Sequence, residues 1–175
     1  MRAHLRQLLV ASAGRPHQGV LEFAGRRVRC ALGRGGISFA KREGDGATPA
    51  GRLTLRRVLY RSDQIGPPET GLPSDPIAQG DGWCDDPTDP RYNRPVQLPY
   101  PASAERMWRP DRIYDIVVVL GHNDDPVVSG LGSAIFMHLA DPDYGATAGC
   151  IALSLSDLID VLRHCGPETE LIVTA

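Results

Sequence analysis

The stretch "IYDIVVVLG" at residues 113–121 constrains this chain more than any other. From Ile116 to Leu120 it runs through five apolar side chains without a polar interruption, four of them β-branched. Such side chains favour strands, and a strand apolar on both faces has to lie in the middle of a fold, covered on each side by protein. The run is far short of the roughly twenty residues a membrane-spanning helix needs, and no longer apolar run occurs. The chain is therefore expected to be layered β structure around this central strand, with no membrane span.

The rest of the sequence fits that frame. Alternating or short apolar segments read as strands: "LRQLLVAS", "GVLEF" and "RRVRCAL" around a hairpin turn at Ala24-Gly25, then "ISFAKR", "RLTLRRVLYR", "SAIFMHL" and "ELIVTA". With 19 Gly and 15 Pro in 175 residues, turns are frequent and long helices are excluded. One helix stands out. Ser154 can cap it with Asp157 three residues on, its stripe Leu155, Leu158, Leu162 and Cys165 is apolar, and Gly166-Pro167 ends it. Residues 62–111, rich in Pro and Asp and with little periodicity, read as a long loop that is functional or partly ordered by short elements, and that forms one wall of a cleft. A single domain over 1–175 is expected from the length.

Charge is uneven. Residues 1–60 carry twelve Lys or Arg against three Asp or Glu, and the remainder seven against eighteen. Arginines interleaved with apolar residues, as in "RRVRCAL", are the outward faces of strands and not a polyanion-binding arm, so no nucleic acid is expected. In the N-terminal "MRAHLRQLLVASAGR", the apolar stretch Leu8–Ala11 is too short for the core of a secretion signal and reads as the first strand. The four cysteines contain no C-x-x-C and are too sparse for a disulfide framework. Cys30 and Cys165 fall on apolar stripes and should be core, whereas Cys84 and Cys150 fall in loop-like contexts and should be accessible.

The chemistry concentrates in "HLADPDYGATAGCIAL", residues 138–153. A cysteine thiol is mostly protonated at neutral pH and needs a base to act as a nucleophile. His138, at the end of a strand, could be that base if a second strand starting at Cys150 brings the thiol beside it. Gly149 permits close backbone approach, and the amides near Gly149 and Cys150 could face an oxyanion. The alternative is a pair of core residues. Two metal readings, zinc at His122, Asp124 and Asp125 with His138 and Cys150, and calcium in the loop around Cys84, lack any ligand spacing that supports them.

This segment resembles the catalytic segment of the L,D-transpeptidase (YkuD-like) domain family: a strand ending in His, a loop, then Gly-Cys and an apolar residue. "KREGDGATPAG" at 41–51 is similar to the family's upstream Gly-Asp-Gly-x-Thr-Pro-x-Gly signature, and His precedes Cys as in that family. The resemblance spans about residues 37–155. It implies a mainly β, sandwich- or barrel-like transpeptidase domain acting on peptidoglycan stem peptides, with Cys150 as nucleophile, His138 as general base and acid, and Gly149 in the oxyanion region. His122, Tyr144 and Thr147 would contact substrate. No metal or organic cofactor is implied, and the oligomeric state stays open. A periplasmic or envelope location follows from the family, while the missing secretion signal leaves the cytoplasm open. Two family positions differ: the usual Ser/Thr-His-Gly-Cys-x-Arg reads Thr147-Ala148-Gly149-Cys150-Ile151-Ala152, without the second His and the Arg. Another cation, an Arg of the basic half or His122, is expected to replace that Arg near the thiol. An L,D-carboxypeptidase acting on the same substrate and a non-catalytic envelope-glycan module remain as alternatives.

Overall fold

A computed structural model describes residues 4–175 of the chain. Its elements in order are β1 (Gln7–Ala13), β2 (Arg15–Phe23), β3 (Arg26–Ala31), β4 (Ile37–Ser38), β5 (Thr48–Pro49), β6 (Gly51–Tyr60) and β7 (Ser74–Pro76). Then come β8 (Asp81–Cys84), β9 (Pro95–Gln97), β10 (Ala104–Arg106), β11 (Ile116–Gly121), β12 (Phe136–Leu139), β13 (Ile151–Leu153), the helix α1 (Leu155–Leu162) and β14 (Glu170–Thr174).

The main sheet runs β11-β12-β13-β3-β2-β1-β14-β6-β7, and β11 also pairs with β6, so the sheet closes on itself as a barrel. The length of β6 makes closure possible. Gly51–Thr54 pair with β14, Val58–Tyr60 pair with β7, and Thr54–Tyr60 pair with β11. The β2–β3 hairpin turns at Ala24 and Gly25, both at positive φ (46° and 75°), the pairing of dihedrals that matches strand twist in a two-residue loop.

Two apolar cores meet at β11. Ile116, Val118 and Leu120 face the barrel interior beside Leu8, Leu55, Met137 and Leu153, and α1 adds Leu158, Val161 and Leu162 to that core. Val117 and Val119 face the other way, into a smaller core with Met107, Tyr114, Phe136 and Cys150. Each such side chain contributes on the order of 1.5–3 kcal/mol when fully buried. The unbroken apolar run thus serves two cores at once, as a central strand must.

Residues 62–111 are ordered by short elements, one of the two readings left open: β8 pairs with β9 and β10 in a small sheet, while two other elements depart from the sequence-based expectation. Proline at five points from Pro87 to Pro101 breaks the periodicity by which short strands are recognised. The strand expected over "ISFAKR" pairs only at Ile37–Ser38. Beyond it Phe39 is 82% exposed, and the chain enters a loop that Asp45 ties down by accepting from the Arg42 and Ala47 amides. The helix stops at Leu162, short of Cys165, because His164 N–H and Cys165 N–H bond back only three residues, to Val161 and Leu162, as the chain tightens before Gly166.

Candidate active site

Strand parity decides which side chains can meet. β12 and β13 are parallel, with Met137 opposite Ile151, His138 opposite Ala152 and Leu139 opposite Leu153. Met137, Leu139, Ile151 and Leu153 point into the barrel core. Their alternates Phe136, His138, Cys150 and Ala152 therefore share the outer face, beneath the small sheet. There His138, Cys150 and Ala152 line one cleft of about 560 Å³. Its opposite wall includes Asp85, Glu105, Arg106 and Arg109, all from the segment expected to form it.

The turn that presents Cys150 is built by three residues. Gly149 has φ 136°, and a Cβ there would stand 2.7 Å from the Ala47 carbonyl oxygen, so only glycine fits. Thr147 donates from Oγ1 to the Cys150 carbonyl at 2.6 Å and accepts from Gly149 N–H at 3.1 Å. Thr147 is itself anchored by its carbonyl and amide to Arg34 and Leu32, while the buried Thr48 Oγ1 accepts from Gly33 N–H at 2.9 Å. The two sequence motifs are thereby in direct contact: Ala47 and Thr48 of "GDGATPAG" brace the turn that carries the cysteine.

At rest, Cys150 Sγ donates to the Ala134 carbonyl (3.3 Å) and accepts from Phe136 N–H (3.4 Å). His138 Nδ1 lies 2.8 Å from the Leu139 carbonyl. A carbonyl only accepts, so Nδ1 carries the proton and Nε2 keeps its lone pair. No hydrogen bond joins the two side chains among the described residues; they share the cleft with the thiol proton turned toward Ala134. Burial pushes the Cys150 thiol up to about 12, with Glu105 adding to the effect, and the Phe136 amide, Lys41 and Arg109 opposing it. Burial likewise brings His138 down to about 4. The resting pair is a neutral thiol and a neutral imidazole, not a thiolate–imidazolium ion pair.

Tyr114 connects the pair to the far wall. Its ring meets His138 edge-on at 5.1 Å between centroids, and its hydroxyl donates to Glu105 Oε1 at 2.6 Å. Arg109 stacks over the Tyr114 ring at 5.1 Å and is held by Asp111, which accepts from Nε and Nη2. Nothing in the sequence singles out Glu105, Arg109 or Tyr114, since they sit in or beside an aperiodic segment.

The other expected site residues are placed as follows. Thr147 lines the cleft. Tyr144 lies outside its lining, with its ring under the Arg29 guanidinium at 4.3 Å. His122, expected near the thiol, also lies outside: its Nε2 is 2.8 Å from the Leu131 carbonyl, and burial lowers its pKa. Of the arginines of the basic half, Arg34 lines the cleft, but the cations whose charge bears on Cys150 are a lysine, Lys41, and Arg109 of the opposite wall. Gly149 N–H is taken by Thr147, which leaves the Cys150 amide as the candidate oxyanion donor. Cys84 and Cys150 are both buried, correcting the expectation that they are accessible: Cys84 lies on the inward face of β8 with Gly82, and Cys150 is 7% exposed at the floor of the cleft it lines. Cys30 and Cys165 are buried as expected. Among the described residues no group of three His, Cys, Asp or Glu side chains could hold a metal ion, and no helix is long and apolar enough to cross a membrane.

Comparison with known families matches residues 11–173 to the model of the YkuD, L,D-transpeptidase catalytic domain. A search of curated proteins gives no match. Among solved structures, the crystal structure of Mycobacterium tuberculosis L,D-transpeptidase 1 aligns with 97% of this chain at 14% identity and a TM-score of 0.41. The chain spans 62% of the length of that protein.

Proposed function

Because the chain belongs to the L,D-transpeptidase (YkuD) catalytic-domain family, we propose that it is a cysteine acyltransferase acting on peptidoglycan stem peptides. The observation that carries this reading is the shared cleft: Cys150 and His138 line it together, and the Leu139 carbonyl fixes the tautomer that leaves His138 Nε2 free to accept a proton.

In this mechanism the Cys150 S–H leaves the Ala134 carbonyl and turns toward His138 as the stem peptide displaces water. Burial favours neutral forms on both residues, so proton transfer to Nε2 accompanies attack of sulfur on the amide carbon after the third stem residue, a diamino acid. The Cys150 amide receives the oxyanion. Collapse breaks the C–N bond, and the imidazolium proton goes to the departing amine, which leaves as the terminal D-amino acid. A thioester remains. The amine of a second stem then attacks it, His138 takes the proton that amine sheds, and the thiolate leaves and is reprotonated. Chemistry of this kind takes place in the periplasm or cell envelope.

The test is incubation of the protein with purified stem tetrapeptides, with and without an amine acceptor, followed by intact-mass measurement. The reading expects an acyl adduct on Cys150 and, with acceptor, a cross-linked peptide; Cys150→Ala should show neither. Hydrolysis without cross-linking would make the protein a carboxypeptidase on the same substrate. Absence of any adduct or product would overturn the enzyme reading in favour of a glycan-binding module.

A further inference from the structure

A second cavity, of about 550 Å³, is walled by β8 and β9 of the small sheet together with β6 and β11, and it shares no lining residue with the catalytic cleft. Trp83, Val96, Leu59 and Val119 are among its apolar lining. The Trp83 indole is fixed in place. Its Nε1 donates to Asn93 Oδ1 at 3.0 Å, and its ring meets the buried Phe136 ring edge-on at 5.1 Å between centroids. Asn93 is itself buried and fully engaged: Oδ1 also accepts from the Ala134 amide, and Nδ2 donates to the His122 and Asn123 carbonyls. The cavity has the size and the apolar walls of a small-molecule site, and its stacking surface needs little ordering on binding.

Its charge is not balanced. Four arginines and three aspartates line it. Arg56 pairs with Asp124, and Arg57 with Asp75. Arg91 and Arg94 have no carboxylate partner among the described residues: Arg91 Nη2 donates to the Pro95 carbonyl at 2.9 Å, and Arg94 Nη2 to the Asp124 carbonyl at 2.8 Å. The third aspartate, Asp81, accepts from the Gln97 side chain and the Ala78 amide. In the β8–β9 ladder Trp83 pairs with Pro95 and Asp81 with Gln97, so Asp81 stands two residues, roughly 7 Å, along the strand from Trp83. The two unpaired guanidiniums therefore belong to the Trp83–Pro95 end and the lone carboxylate to the other.

An indole beside unpaired guanidiniums complements a flat apolar body that ends in an anion, and an excess of one positive charge matches a monoanion. We propose that this cavity is a second ligand site, separate from the catalytic cleft, and that it takes a small aromatic carboxylate, its rings against Trp83 and its carboxylate on Arg91 and Arg94. A neutral compound of the same shape keeps the stacking and forfeits the charge-assisted bonds. The site uses neither Cys150 nor His138, so it stands independently of the acyl-transfer reading.

The probe is anilinonaphthalene sulfonate, an aromatic monoanion whose fluorescence rises in apolar surroundings. It is displaced in parallel titrations by naphthoate and by naphthalenemethanol, the neutral counterpart. Naphthoate should displace it at about tenfold lower concentration, the size expected for a hydrogen bond between charged groups. Arg91→Gln and Arg94→Gln should each lower that ratio and together bring it close to one, with lysine at both positions keeping part of it. Arg91 is exposed and its side chain holds only a nearby carbonyl, so its variant tests the proposal even where Arg94→Gln disturbs the fold. Trp83→Leu should weaken both competitors and leave their ratio. Arg34→Gln and Arg106→Gln, which remove arginines of the catalytic cleft, should change neither affinity nor ratio. Failure of naphthoate to displace the probe, a ratio near one in the wild type, a ratio that survives loss of both Arg91 and Arg94, unchanged binding by Trp83→Leu, or a preference that follows Arg34 or Arg106 would each overturn the proposal.

Discussion

The Ala47 carbonyl oxygen stands 2.7 Å from the point a Cβ on Gly149 would occupy, so the upstream loop and the nucleophile turn are fitted to each other backbone against side-chain space. Gly149→Ala should therefore be costly twice over, through its φ of 136° and through this contact. A destabilisation of about 2–4 kcal/mol is expected for such strain, together with loss of acylation as Cys150 shifts. Denaturant midpoints measured alongside acylation check it; a variant with unchanged stability and rate would show that the turn adapts.

Thr147 holds the same turn through two hydrogen bonds, to the Cys150 carbonyl and from the Gly149 amide. Thr147→Val keeps the shape and removes both. The expected loss of stability is about 1–2 kcal/mol, with a larger proportional fall in acylation rate than Thr147→Ser, which retains the hydroxyl. Equal rates for the valine and serine variants would remove Thr147 from the presentation of the thiol.

Because the resting pair is neutral, alkylation of Cys150 should climb with pH without a plateau near neutrality. An ion pair would give a flat reactive limb there, as its thiolate is already formed. All four cysteines are buried, but Cys150 alone of the four lines the cleft, so Cys30, Cys84 and Cys165 should react more slowly. Peptide mapping after limited iodoacetamide treatment across pH 5–9 distinguishes the two profiles. His138→Ala should lower stem-peptide acylation by about 10²–10⁴-fold, the usual contribution of a general base, while leaving the fold intact.

Stability should fall at both ends of the pH range. His138 sits at about 4 in the folded chain against an ordinary 6.5, so between these values the unfolded chain binds a proton that the folded one does not. Stability on its account is fully present above 6.5 and declines as pH drops toward 4. Cys30, Cys150 and Cys165 are pushed to about 12 from an ordinary 9.0, so the unfolded chain ionises first and stability declines as pH rises from 9 toward 12. Urea midpoints of the wild type and of His138→Ala should diverge on the acid limb and run parallel above pH 7. Parallel acid limbs would mean that His138 does not carry this loss.

Local pattern determined much of this protein. The apolar run Ile116–Leu120 required a doubly covered strand, alternation marked the barrel strands, and Ser154 with Asp157 marked the helix start, because these signals depend on side-chain period and short-range hydrogen bonding alone. His138, Gly149 and Cys150 stood out as candidates for a related reason: a strand end, a glycine and a thiol are local features, although those features alone left a pair of core residues equally open. Tertiary structure decided the rest. Cys84 reads as exposed loop until β9 and β10 pair on either side of β8. His122 ends the strand beside β12, yet its ring turns to Leu131 instead of the thiol. The cation whose charge bears on the thiol from the opposite wall, Arg109, is forty-one positions from Cys150 in a segment without period. Its place depends on Asp111, Tyr114 and the small sheet packing over the outer face of β11. Pairing between strands distant in sequence, and the electrostatics of a cleft closed by them, follow from chain closure and leave no periodic trace in the residues that take part.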